Sequence, residues 1–206
     1  MTTLRRAVWA TGCAVLCLPV LVPATVEEQR ARLPPPATCQ DPVEGLWKAH
    51  RYDPRFQDWS IFTLSIRRSA PESPSLVGYI TIEYWTGRPT ESIPPPCRPG
   101  LRFYILDQPS RGTFTAARNH VEFWGLSYRV REERCPRSFS AYNLDHFAGA
   151  IDPRIQEFQT VNNDGGRDNN EPYVFRRVQC VDTPVPHPAV TPPPFHPRVR
   201  QGCSPR

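Results

Sequence analysis

The sequence predicts an all-β domain of about eight antiparallel strands forming a closed or nearly closed barrel, set between Pro-rich flanks that lack the residues to build a core. Three observations predict it. Apolar residues between positions 39 and 181 recur with period two, the spacing of strands with one buried face. Turn chemistry (Pro109-Ser110-Arg111-Gly112, Arg118-Asn119, Asn163-Asp164-Gly165-Gly166) falls between these runs at short intervals. No segment sustains a helical period with caps. Many short antiparallel strands form a sandwich or a barrel, and only barrel closure removes exposed edges.

The elements follow in order. Residues 1–24 carry Arg5 and Arg6, then an apolar run, then Val22-Pro23-Ala24 as a small-residue cleavage site. This is the three-part pattern of a secretory signal peptide, and the run is shorter than the roughly 20 residues of a spanning helix. Thr11-Gly12-Cys13 resembles a lipidation box, but too few apolar residues precede it. The expectation is therefore export, to a secreted, periplasmic or cell-surface location. Residues 25–38 read as a linker ending in Pro34-Pro35-Pro36, residues 39–181 as one domain, and residues 182–206 as a disordered Pro-rich tail.

Strands are expected at 45–52, 61–66, 76–85, 101–106, 113–117, 121–130, 139–147 and 173–179. Within 121–130 the apolar parity switches at Gly125, from Val121 and Phe123 to Leu126, Tyr128 and Val130. A one-residue slip would send one set into water, so a bulge is expected at Gly125.

In an oxidising compartment the cysteines beyond the leader read as a disulfide framework. Three pairings of Cys39, Cys97, Cys135 and Cys180 are open. The one expected joins Cys39 to Cys180 across the domain, and Cys97 to Cys135. Cys203 is left over in the tail, either free or available for a disulfide-linked dimer. No close pair such as C-x-x-C follows the leader, so no metal site is expected.

Net charge is +5, yet all basic residues but Lys48 are Arg, and they are scattered among acidic ones. A nucleic-acid reader shows a clustered basic stripe, so nucleic acid is not an expected partner. No phosphate-cradling Gly loop, Gly-x-Ser-x-Gly or His-Glu-x-x-His occurs, and no cofactor is implied.

The run Gly45-Leu46-Trp47, followed by strands at Ile61–Ile66 and Leu76-Val77-Gly78-Tyr79-Ile80, resembles the opening of the calycins, the lipocalin and avidin-like barrels. The resemblance implies that Trp47 closes one end of the barrel. It covers about forty residues, and neither a later lipocalin turn motif nor a mappable set of biotin contacts accompanies it.

A barrel of about eight strands is either filled by side chains or hollow enough for one small ligand. Tyr84, Trp85, Phe103 and Trp124 are the candidate ligand-binding aromatics at its mouth. The leading expectation is a non-enzymatic module binding a small molecule or an envelope component. A second is a secreted hydrolase or isomerase using Asp145, His146 and Asp164, although adjacent strand residues face opposite ways. His120 and Glu122 share a face and read as a solvated outer pair. A third is an envelope-tethered structural protein acting through the tail and Cys203.

The stretch VNNDGGRDNNE (161–171) fails as a helix-loop-helix calcium loop, because Gly166 and Arg167 occupy positions that need a ligand and a glycine. It reads as a turn into the last strand, launched by Pro172. Only Asp164, if it faces a cleft, keeps a chemical role.

Overall fold

A computed structural model describes residues 26–135 and 141–181. The expected leader at 1–24 and the tail with Cys203 lie outside them. A short helix, α1 (Val26–Ala31), precedes nine strands: β1 (Gly45–Asp53), β2 (Asp58–Arg68), β3 (Ser75–Thr86), β4 (Phe103–Thr115), β5 (His120–Gly125), β6 (Arg129–Arg134), β7 (His146–Asp152), β8 (Glu157–Asn163) and β9 (Asn169–Gln179). Eight of them, all but β6, close an antiparallel barrel by pairing each strand with its neighbour in sequence and β9 with β1. The all-β barrel is as the alternation predicts, and β6 is an extra strand on the edge of β4.

The element boundaries differ from expectation for identifiable reasons. Strand β4 runs straight through Pro109-Ser110-Arg111-Gly112, which reads as a turn. Within a strand, N and O of one residue face the same neighbour, and the Pro109 carbonyl accepts from Leu126 N at 2.9 Å. Its missing N–H therefore faces the break between β5 and β6, where no ladder donor is needed. The bulge expected at Gly125 is that break: β5 ends there, and β6 resumes on the same edge of β4.

Residues 141–145 are irregular, and the strand expected at 139–147 lies at β7 instead. Strand β8 carries no apolar alternation because Glu157, Thr160 and Asn162 are themselves buried. Pro172 lies inside β9 rather than at its start, paired with Val161.

The closed end of the barrel is packed solid. Phe62, Phe147 and Phe175 meet edge to face at 5.0 to 6.5 Å, and Phe158 stacks on Phe175 at 5.8 Å. Trp47 is fully buried and donates from Nε1 to the Val43 carbonyl at 2.9 Å. The Arg177 guanidinium lies 4.6 Å over its ring and donates to the carbonyls of Asp41, Pro42 and Glu44. Burial lowers the pKa of Arg177 to about 10. These contacts seal this end with the 41–44 turn.

The segment expected as a linker is ordered against the barrel. Strands β1 and β9 pair over only Leu46↔Gln179, Trp47↔Arg177 and Lys48↔Arg176, so the seam splays above them. Gln29 of α1, fully buried, fills the splay: its amide donates to Pro172 O at 3.2 Å and accepts from Val174 N at 3.1 Å. One side chain thus satisfies two backbone groups that the ladder leaves unpaired. Arg30 secures the helix to Glu157 at 2.8 Å, and Cys39–Cys180 (separation 141) ties the same segment to the end of β9. The second disulfide, Cys97–Cys135, joins the β3–β4 loop to the end of β6. Among the described residues no helix is long and apolar enough to cross a membrane.

Candidate functional site

The other end of the barrel is open. A cavity of about 460 Å³ lies there between β2, β3, β4, the 141–145 segment and the β8–β9 turn. Its deeper lining includes Phe62, Ile82 and Tyr173, and Tyr84 stacks on Tyr104 at 4.6 Å along the wall. Inward position follows from strand parity: Tyr84 and Tyr104 are register partners in the same series as Ile82 and Leu106. Tyr142 meets Tyr104 edge to face at 6.3 Å.

Three buried carboxylates and the Arg167 guanidinium stand around this aromatic frame, and Arg102, Glu133 and Asp164 also line the cavity. Asp58 opens β2 on the inward face, 2 % exposed, and its Oδ2 accepts from Tyr84 Oη at 2.8 Å and from Arg167 Nη1 at 2.6 Å. Burial outweighs the attraction of Arg167 and holds the Asp58 pKa above the ordinary carboxylate range. Asp168 accepts from Tyr173 Oη at 3.0 Å through Oδ2, while its Oδ1 is buried without a hydrogen bond, 3.4 Å from Arg167 Nε.

Asp145 sits behind Tyr142. Its oxygens accept from Asn162 at 2.7 Å, from Tyr142 Oη at 2.9 Å and from the Gln108 amide, and its backbone N–H donates to Gln108 Oε1 at 3.2 Å. Burial raises the Asp145 pKa to about 7 against these three donors. Gly125 leaves the room that this arrangement of Gln108 uses: a Cβ there would lie 1.9 Å from Gln108 Oε1 and would make the amide shift. The parity break in the sequence thus marks the space that the Gln108 amide occupies.

The VNNDGGRDNNE stretch is half strand and half lid. Asn162 and Asn163 end β8, Asn169 to Glu171 begin β9, and the turn between them is organised by Asp164 Oδ1, which accepts from Gly166 N and Asp168 N at 2.7 and 3.1 Å. A Cβ on Gly166 would lie 1.8 Å from Asn143 Nδ2, so glycine lets the turn fold down onto the mouth. Arg167 then reaches across to Asp58, over the rings of Phe56 (4.7 Å) and Tyr84 (5.8 Å).

The candidate residues divide between inside and outside. Tyr84 is in the cavity wall, and Phe103 borders the cavity while packing outward with Tyr52, Trp59 and Trp85. Trp85 lies on the outer face, stacked on Trp59 at 6.0 Å, its indole donating to Glu91 O in the β3–β4 loop. Trp124 is also outside, edge to face with His146 at 6.0 Å. Asp145 points in, His146 points out, and Asp164 borders the cavity while its Oδ1 holds the turn. Among the described residues no hydrogen bond joins any two of the three. His120 and Glu122 form a partly exposed outer contact at 3.8 Å.

Asp58, Tyr104, Tyr142, Arg167 and Asp168 belong to the site and are absent from the sequence-based candidates. One signal was available: Asp58 and Ser60 continue the parity of Phe62, Leu64 and Ile66, which places a charge on the inward face. The reach of Arg167 depends on how the turn folds and leaves no periodic trace.

Among the described residues no three His, Cys, Asp or Glu side chains are grouped to hold a metal ion. No protein-family model, curated protein or solved structure matches the chain.

Proposed function

We propose that this is an exported, non-enzymatic binding barrel of calycin type that takes one small organic molecule in its open end. The observation that carries the reading is the half-filled interior: a cavity of about 460 Å³ over a solid aromatic core, walled by tyrosine faces with a few convergent polar groups. That is the usual build of a small-molecule site. Two disulfides and a leader-like N-terminus support export. Catalysis is not favoured, because both Asp145 oxygens are committed to neutral donors and His146 lies on the other face of the sheet.

The test is a thermal-shift screen of a broad small-molecule library against the wild type and Ser60→Phe, which fills the cavity from β2. Compounds that raise the wild-type Tm and leave a folded Ser60→Phe unmoved support the reading. A library without such a compound sinks it.

A further inference from the structure

The chalice holds more buried carboxylate than cation, and this imbalance indicates what it accepts. Arg167 is the guanidinium that faces Asp58 and Asp168, and its Nη1 is used by Asp58 at 2.6 Å. Asp168, with a side chain 7 % exposed, has only the 3.4 Å approach of Arg167 Nε, which is not aligned as a hydrogen bond. The two carboxylates therefore have one guanidinium in direct contact between them, with Arg51 acting on Asp168 from behind Tyr173.

The neighbouring cations do not relieve this. Arg51 donates to Asp53 and Glu171 as well as to Tyr173 Oη, and Arg55 is bound to the same two carboxylates. Asp145 adds a further carboxyl group whose three side-chain donors are all neutral. At the rim Arg102 and Glu133 are both exposed and offset one another.

We infer that the chalice selects a small organic cation, a primary amine with an aromatic or apolar body, whose ammonium pairs with the Asp168 carboxylate in the cavity lining. This rests on the small-molecule reading above. The negative charge of Asp58 and Asp168, met directly by Arg167 alone among the described residues, gains a counter-charge from such a ligand. The faces of Tyr84 and Tyr104 suit both the ring and the charge. An anion would find Arg167, already claimed by two carboxylates, and the exposed Arg102 at the rim near Glu133, and a neutral body would leave Asp168 as it is.

The experiment is titration calorimetry of the full chain with three matched probes: 2-phenylethylamine, 2-phenylethanol and 3-phenylpropionate. The amine is expected to bind at least about tenfold more tightly than the alcohol, and the carboxylate most weakly. In Asp168→Asn the advantage of the amine over the alcohol is expected to disappear while the alcohol still binds. Equal binding of amine and alcohol, or preference for the carboxylate, overturns the cation class and leaves small-molecule binding standing. The same holds if none of the three binds but the wider library yields a ligand blocked by Ser60→Phe. An empty library removes both readings.

Discussion

Arg167 Nη1 lies 2.6 Å from Asp58 Oδ2, joining the tip of the β8–β9 turn to the first residue of β2 across the barrel mouth. Asp58 is 2 % exposed and Arg167 35 %, so the contact is a bolt with one end buried and the other wet. Removing the wet end strands the dry one. Arg167→Met is expected to cost about 2 kcal/mol, below the range for a fully buried pair because solvent screens the arginine. Adding Asp58→Asn to it is expected to recover at least half of that loss. Urea denaturation of the two single variants and the double variant measures the coupling, and simple additivity would count against the bolt.

Gly125 and Gln108 make a second pair that can be tested. The missing Cβ at 125 is the space that the Gln108 amide uses to reach Asp145. Gly125→Ala is expected to displace that amide, leave buried polar groups unmatched, and cost about 2 kcal/mol. Gln108→Ala in the Gly125→Ala background is expected to cost less than Gln108→Ala alone. Equal costs in both backgrounds would show that the two residues act independently.

Between pH 4 and 7 two groups with opposing slopes are expected to shape the pH dependence of stability, with Asp58, also raised by burial, acting in the same direction as Asp145. Burial raises Asp145 to about 7, so between the ordinary carboxylate pKa near 4 and pH 7 the unfolded chain ionises first, and stability falls as pH rises. Burial, then Arg32 and Lys48, lower His50 to about 4, so between pH 4 and 6.5 the unfolded chain holds the extra proton, and stability rises with pH. The two slopes oppose one another over pH 4 to 6.5. Asp145→Asn is expected to unmask a rise in that window, and His50→Gln to unmask a fall. Denaturation midpoints at half-unit pH steps would show this, and unchanged profiles in both variants would refute it.

Gln29 predicts a local effect. Its side chain is the partner of Pro172 O and Val174 N, so Gln29→Ala leaves two backbone groups in the seam unsatisfied. The expected result is faster amide exchange at Val174, with protection retained at strand centres remote from the seam, such as Phe62. Stability is expected to drop by about 1 to 3 kcal/mol.

The disulfides should rank by loop length. In the chain-entropy model, closing the 141-residue separation of Cys39–Cys180 contributes about 5 kcal/mol, against about 4 for the 38-residue separation of Cys97–Cys135. Cys39→Ser with Cys180→Ser should therefore lower the urea midpoint more than Cys97→Ser with Cys135→Ser.

How much of this was legible in the sequence depends on whether a residue's role is periodic. Phe62, Leu64 and Ile66 announce β2 by alternation alone, and the parity switch at Gly125 announces a real interruption. Strand β8 gave no such signal, because Asn162 is buried for its bond to Asp145 rather than for apolar contact. Pro109-Ser110-Arg111-Gly112 has the residue types of a turn, and its place in β4 depends on a neighbouring break that local chemistry does not encode. Tyr84 was legible as a mouth aromatic by its strand. Arg167 and Asp168 were not, since what they touch is set by the way the turn folds over the mouth.

The β1–β9 seam has a consequence for how the chain acquires its shape. Every other strand pairing in the barrel joins segments consecutive or nearly so along the chain, and these can form as local hairpins. Leu46 opposite Gln179 brings together the two ends of the domain, so the entropy of large-loop closure falls on this one junction. A curled, open sheet is the natural precursor. Pairing of β9 with β1 is therefore the step expected to come last, and the Cys39–Cys180 disulfide, wherever it is formed, keeps those two ends together even when the sheet opens.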